Sequence, residues 1–269
     1  SLVAFEIEEK DIPNAVKILN SHPGISHNYE RNHSFNIWFT IAVAPNSNLG
    51  LEKSIEILAK KTNAKNYIIL PTLKLFKISV KLDTTNKEEK QEKLIQKSFT
   101  NLDLSEYHYK FIKLLQQDIE FKSEPFKFIV DQLNISYDEL FTTVQEFINS
   151  GVMRRFASIL NHRKAGFSAN AMVVWDIDEK KSQDIGEIAA SFSAVSHCYL
   201  RPQYPNWKYN LFTMIHGKTE DDTQKTIEDI ANKIEYRDKM ALYSSKEFKK
   251  VRIIYFSDEF ENWEKENNN

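Results

Sequence analysis

Ser196-His197-Cys198-Tyr199-Leu200-Arg201 repeats an earlier stretch, Ser26-His27-Asn28-Tyr29-Glu30-Arg31, keeping Ser, His, Tyr and Arg in order. Both copies run on into an Asn-apolar-aromatic segment, Asn36-Ile37-Trp38-Phe39 in the first and Asn210-Leu211-Phe212-Thr213 in the second. In a strand, side chains two apart share a face, so His, Tyr and Arg at alternate positions line one side of the chain. Two such faces, one from each half, are suited to lining one pocket for a large anionic ligand.

Working outward, the echo continues in register. Residues 2–10 (LVAFEIEEK) answer residues 172–180 (MVVWDIDEK), and Lys74-Leu75-Phe76-Lys77 answers Lys246-Glu247-Phe248-Lys249. A nearly constant offset over this length signals duplication. Each copy reads as strand, helix, strand, strand, helix, strand. The first places these at 2–8, 11–20, 25–31, 35–43, 49–62 and 67–82, and the second at 170–177, 182–192, 194–201, 208–216, 220–235 and 240–256. That order is the βαββαβ ferredoxin-like arrangement, an α+β fold. Its sheet carries helices on one face only, so the two modules are expected to bury their bare faces together as a pseudo-dimer within one chain.

Between the copies, residues 83–103 are rich in Lys, Glu, Gln and Asn, and Asp83 to Lys93 reads as a solvated linker. A helical trio follows. Ser105 opens a helix bearing Phe111, Leu114 and Leu115, and Pro125 precedes one bearing Phe128, Ile129 and Leu133. Ser136 starts the third, with Glu139 completing a capping box and Ser150-Gly151 ending it. With a wing strand expected at 152–160, this is a winged helix-turn-helix pattern. The expected domains are therefore 1–82 and 166–257 as ferredoxin-like modules, 83–103 as linker, 104–165 as winged helix-turn-helix, and 258–269 as a tail that frays from Glu261. No such helical module precedes the first copy, so further chain is expected upstream of residue 1.

Composition excludes several classes. With 41% hydrophobic and 28% charged residues the chain reads as globular, and no apolar run approaches a membrane span. A net charge of −2 argues against indiscriminate nucleic-acid binding. The helix from Ser136 to Ser150 carries Asp138, Glu139 and Glu146 and no basic residue, so a duplex would repel it. The single Cys198 rules out an internal disulfide framework and suits a reducing cytoplasm.

Candidate binding residues concentrate elsewhere. Arg154-Arg155 and His162-Arg163-Lys164, interleaved with Phe156, Ile159, Leu160 and Phe167, combine carboxylate-binding cations with apolar surface. Four of the seven histidines, His27, His33, His162 and His197, fall beside the repeat motif or this basic loop. Histidine is the side chain suited to proton transfer near neutrality. No HExxH, CxxC, phosphate loop or nucleophile elbow is present, and no metal site is expected. His22 and His108 read as surface residues, and His216 stands at the end of its strand.

Residues 151–167 (GVMRRFASILNHRKAGF), 169–175, 195–202 and 209–217 closely resemble the B-type subunit of siroheme decarboxylases, while residues 23–33 and 35–40 resemble the A-type subunit. That family is built on the Lrp/AsnC architecture, a helix-turn-helix joined to a ferredoxin-like ligand domain, and serves alternative heme and heme d1 synthesis. The resemblance covers nearly the whole chain apart from linker and tail. Here A-like and B-like halves are fused, and the A-like helix-turn-helix is missing.

The resemblance implies removal of the carboxyl groups of the C12 and C18 acetate side chains of siroheme, giving 12,18-didecarboxysiroheme. It implies His162 and His197 as the principal catalytic pair, with His27 as their counterpart. Arg154, Arg155, Arg163, Lys164, Tyr199, Arg201, Tyr29, Arg31, His33, Trp207 and His216 are the expected substrate-binding set. One histidine could instead ligate the substrate iron. The macrocycle is the natural electron sink, so no further cofactor is required. The expected partners are siroheme, its product and a second copy of the chain, without membrane or DNA. Two alternatives share the architecture, a heme-responsive regulator and a tetrapyrrole carrier.

Overall fold

The computed structural model describes residues 1–44, 47–78, 100–153, 156 and 169–268. The first repeat supplies β1 (Leu2–Glu6), α1 (Ile12–Ser21), β2 (Ile25–Arg31), β3 (Ile37–Ile41), α2 (Gly50–Lys61), β4 (Asn66–Leu70) and β5 (Lys74–Ile78). Then come α3 (Glu106–Leu115), α4 (Lys127–Leu133) and α5 (Tyr137–Ser150). The second repeat supplies β6 (Ala169–Asp176), α6 (Ser182–Ser191), β7 (Val195–Leu200), β8 (Leu211–Gly217), α7 (Glu220–Ala231) and β9 (Asp238–Lys250), and α8 (Asp258–Asn267) closes the chain. All nine strands with α1, α2, α6 and α7 form one unit; α3, α4, α5 and α8 belong to another.

The strand order β4-β1-β3-β2-β9-β6-β8-β7-β5 contains the same four-strand pattern twice, and the joints between the halves are exchanged strands. The first part of β9 pairs with β6 of its own half, from Ala171↔Tyr243 to Asp176↔Asp238. Its last part crosses to the other half and pairs with β2, from Arg31↔Ser244 to His27↔Lys250. The first repeat does the reciprocal thing: β4 pairs with β1, and β5 crosses to pair with β7, from Lys74↔Leu200 to Ile78↔His197. The sequence pattern predicts one strand over 67–82, but the structure breaks it at Pro71-Thr72-Leu73. Proline offers no N–H to a ladder and fixes φ, whereas the matching stretch of β9 has no proline and stays whole.

Each crossing strand is anchored on the far side. Phe76 of β5 packs into the core of the second half with Trp175, Ile185, Val195 and Ile215. Gly186 on α6 makes that possible, because a Cβ there would overlap the Phe76 ring. Lys77 Nζ donates to the carbonyl of Phe192, the C-cap of α6, at 2.9 Å. The matching Lys249 on β9 donates to the carbonyls of Asn20 and His22 at the end of α1, at 2.6 and 3.2 Å. A cation at a helix C-terminus is favoured by the macrodipole as well as by the unpaired carbonyls. His22, expected at the surface, is instead fully buried as the C-cap of α1, where its Nδ1 accepts the N–H of Gly24 at 3.0 Å.

The strand faces without helices meet in a shared core. Ala4, Trp38, Ile68 and Leu70 of the first half pack with Met172, Val174, Phe212 and Leu242 of the second. Trp207 fills the middle, edge-on to Trp38 at 5.3 Å and to His33 at 5.5 Å.

In the other unit, Phe111, Leu114, Ile129, Leu140 and Phe147 form the core of the helical trio. The Ser136–Glu139 capping box forms as expected: Ser136 N donates to Glu139 Oε2 at 2.7 Å, and Glu139 N to Ser136 Oγ at 3.2 Å. Gly151 ends α5 with φ +75°. Most of the expected wing, 152–160, lies outside the described residues, and Val152 and Met153 belong to no strand. The tail, expected to fray from Glu261, is helical instead. Gln116 holds Tyr255 through both its main-chain groups, Lys113 pairs with Asp258, and Glu264 is buried.

Candidate functional site

Alternation along β2 stacks His27, Tyr29 and Arg31 into a ladder. The His27 and Tyr29 rings lie 6.2 Å apart, and the Arg31 guanidinium sits 5.7 Å from the Tyr29 ring. On β7 the same ladder recurs, with His197 and Tyr199 rings 6.1 Å apart and Arg201 4.7 Å from Tyr199. In both, the arginine end is buried and the histidine end is partly exposed, beside the strand lent by the opposite half.

Arg31 and Arg201, expected among the substrate-binding residues, are buried; only 6% and 8% of their surface is exposed. Arg31 Nη1 donates to the carbonyl of Leu242 at 2.7 Å, and Arg201 Nη1 donates to the carbonyl of Leu70, so each reaches into the other half. Burial lowers both guanidinium pKa values to about 10, which leaves them charged at neutrality. No carboxylate of the described residues offsets either charge, and the Nε of each is buried with no hydrogen-bond partner there. The result is two positive charges set beneath two half-buried tyrosines.

At the histidine ends, hydroxyls hold the imidazoles. Ser26 Oγ lies 2.8 Å from His27 Nδ1 and 2.8 Å from Thr40 Oγ1. Ser196 Oγ likewise lies 2.8 Å from His197 Nδ1, but it also lies 2.7 Å from His216 Nε2 and 3.4 Å from the carbonyl of Met214. His216 Nδ1 is in turn 2.6 Å from Asn170 Oδ1. Burial holds the pKa of His27 below its usual value; Lys250 adds to this and Glu247 opposes it.

Other expected site residues divide three ways. Tyr29 and Tyr199 are half-buried within the ladders, and His216 joins the chain that leads to His197. Trp207, only 2% exposed, belongs to the core between the halves and offers no open face to a ligand. His33 shapes a turn, its Nδ1 accepting the N–H of Phe35 at 3.0 Å. His162, Arg163, Lys164, Arg154 and Arg155 lie outside the described residues. Sequence reasoning missed Ser26, Ser196 and Asn170. The serines stand inside the repeated motif, but plain alternation puts them on the face opposite the histidines; the register shifts between residues 25 and 27 and between 195 and 197 break that alternation, and both serine hydroxyls reach the histidines. Among the described residues no cluster of His, Cys, Asp or Glu could hold a metal ion, and no helix is long and apolar enough to cross a membrane.

The AsnC-like ligand binding domain family matches residues 1–77 and 164–249. The chain is similar to a siroheme decarboxylase of Hydrogenobacter thermophilus, 38% identical over 99% of this chain and 79% of that protein. It is also similar to a siroheme decarboxylase beta subunit of Methanosarcina barkeri, 40% identical over 54% of this chain and 95% of that one. Among solved structures, the siroheme decarboxylase NirDL superposes with a TM-score of 0.77 at 33% identity, covering 99% of this chain and 77% of its own. A second crystal structure of NirDL, in complex with an iron-uroporphyrin III analogue, superposes with a TM-score of 0.75 at 32% identity and the same coverage.

Proposed function

The chain belongs to the siroheme decarboxylase family, and from that premise we propose that it removes the carboxyl groups of the C12 and C18 acetate arms of siroheme, leaving methyl groups. It is a carboxy-lyase. The observation that carries this reading is the pair of His–Tyr–Arg ladders, each rooted in a buried guanidinium without a carboxylate partner among the described residues. A flat polyanion supplies what they lack: negative charge for the buried cations, a π-face for the tyrosines, and acetate arms for the histidines.

Cleavage of the bond between the acetate methylene and its carboxylate releases carbon dioxide and leaves an electron pair on the arm. The conjugated ring of the substrate delocalises that pair, and one proton then completes the methyl group. His197 is the proposed proton donor. His162 is its proposed partner in orienting the carboxylate, with Arg154, Arg155, Arg163 and Lys164 binding peripheral carboxylates. His27 is the counterpart in the first half. No added cofactor is needed, because the substrate itself provides the electron sink.

The same proposal covers the assembly. The exchanged strands support reading residues 1–82 and 166–257 as a pseudo-dimer of ferredoxin-like modules, with 104–165 as a winged helix-turn-helix retained as scaffold. The acidic α5, bearing Asp138, Glu139 and Glu146, favours this over DNA binding. A homodimer and a cytoplasmic location complete the reading.

Anaerobic incubation of the purified chain with siroheme, followed by mass analysis, tests the activity. Loss of two carboxyl groups is the expected result. Unchanged siroheme bound to the protein would make it a carrier, and salt-dependent duplex binding without conversion would make it a regulator.

A further inference from the structure

The two halves differ in what stands behind their histidines. Main-chain pairing makes Ala42 and His216 counterparts: Ala42 N donates to the carbonyl of Gly24 at 2.9 Å, and His216 N to that of Ala194 at 3.0 Å. Where the second half carries an imidazole, the first carries a methyl. The hydrogen bonds from Ser26 therefore lead to another hydroxyl, Thr40, while those from Ser196 lead to an ionisable ring.

That ring has a defined proton arrangement. The side-chain carbonyl of Asn170 only accepts, so His216 Nδ1 carries hydrogen and its Nε2 is the site that gains or loses a proton. When His216 is neutral, Nε2 accepts the Ser196 hydroxyl proton, Ser196 Oγ accepts from His197 Nδ1–H, and the far nitrogen of His197 bears a lone pair. When His216 is protonated, Nε2–H donates to Ser196 Oγ and the serine donates to His197 Nδ1, so the far nitrogen of His197 holds the hydrogen. The charge held on His216 thus lets His197 give up its Nε2 hydrogen without being left as an imidazolate. The hydroxyl of Thr40 cannot store a proton near neutrality, so Ser26 leads to no such source among the described residues.

We infer that Asn170, His216 and Ser196 form a proton relay that refills His197 Nδ1 as its Nε2 hydrogen is donated in each decarboxylation, and that the second half is the protonating centre of the chain. This rests on the siroheme decarboxylase reading. Per turnover, the carbon–carboxylate bond breaks, carbon dioxide leaves, the electron pair remains on the arm and His197 Nε2–H supplies the proton to the methylene carbon. As it does so, His197 Nδ1 takes the Ser196 hydroxyl proton and Ser196 takes that of His216 Nε2; after product release a solvent proton enters at His197 Nε2 and the two transfers run back, returning the charge to His216. No oxidant or reductant enters. Ser196 and His216 are positioning residues, acting through His197.

The test is siroheme turnover by the full chain and its variants under anaerobic conditions, with kcat and KM measured separately. Ser196→Ala and His216→Gln are expected to lower kcat by about 10- to 100-fold, toward the contribution typical of positioned proton transfer, with KM changed less than about twofold. Ser196→Thr, which keeps the hydroxyl, is expected to recover most of kcat. Circular dichroism and thermal melting confirm that each variant is folded; if His216→Gln does not fold, the Ser196 pair decides alone. A kcat within about twofold of the parent in Ser196→Ala overturns the relay, as does a rise in KM with kcat unchanged, or a Ser196→Thr protein as slow as Ser196→Ala. A separate arm uses His197→Ala: full conversion there would fail the site reading itself, whereas loss of activity in His197→Ala alone would fail only the relay.

Discussion

Arg31 and Arg201 occupy equivalent rungs of their ladders, and each donates from Nη1 to a main-chain carbonyl of the opposite half, Leu242 for Arg31 and Leu70 for Arg201. The two acceptors are themselves repeat-related. Each half is thus tied to the other through its own motif, and the residues that shape the candidate site also hold the halves together.

Replacing either arginine by methionine keeps the stem packed but leaves a buried carbonyl without its donor. We expect a loss of about 2–4 kcal/mol for each variant, similar in size for the two. Arg→Lys at either position should recover little, because the ammonium lacks the planar face that lies over the tyrosine. Urea unfolding curves check this; a loss below about 0.5 kcal/mol in Arg31→Met would show that the bond to Leu242 contributes little.

His22 gives a pH dependence with a definite sign. Burial, with the Lys249 ammonium nearby, lowers its pKa to about 3. The unfolded chain binds this proton below about 6.5 and the folded chain does not, so the stabilisation is complete above that pH. It declines by about 1.4 kcal/mol per pH unit as acidity increases toward the folded value. His22→Gln should unfold with a visibly flatter dependence between about pH 7.5 and about pH 5. Parallel curves for variant and parent would contradict the assignment.

Gly186 controls whether the strand lent by the first half can dock. Gly186→Ala places a Cβ against the Phe76 ring and is expected to cost about 1–3 kcal/mol. Hydrogen exchange should quicken in β5 and the facing edge of β7 before other strands. The double variant Gly186→Ala/Phe76→Leu should regain part of the loss. Equal exchange in all strands would mean that the clash is relieved without moving β5.

Much of this was legible in the chain. The constant offset between Ser26–Arg31 and Ser196–Arg201, together with the strand–helix order, pointed to two ferredoxin-type modules, because periodicity reports which face is buried. Strand exchange was not legible: nothing local in Lys74–Ile78 says whose sheet it joins, since pairing partners are set by tertiary packing. The burial of Arg31 and Arg201 was also hidden, because a polar residue is buried wherever a main-chain partner awaits it, and only the fold brings Leu242 and Leu70 into reach. The helix at Asp258–Asn267 was missed for a related reason. Its composition is polar, and its anchors on Lys113 and Gln116 are distant in sequence.

The tyrosine rungs should separate packing from substrate handling. Tyr199 lies between His197 and Arg201, so its ring both supports the imidazole and covers the buried charge. Tyr199→Phe keeps the ring and is expected to retain kcat/KM for siroheme within about threefold, whereas Tyr199→Leu removes the stacked face and should lose about tenfold, the equivalent of one cation–π contact. Tyr29→Leu alters the ladder whose histidine is backed by the hydroxyls of Ser26 and Thr40, and its loss should be smaller. Siroheme kinetics on the three variants provide the check. If Tyr199→Phe were as impaired as Tyr199→Leu, the phenol hydroxyl rather than the ring would be the working part; if Tyr29→Leu were the most impaired, the reacting half would be the first.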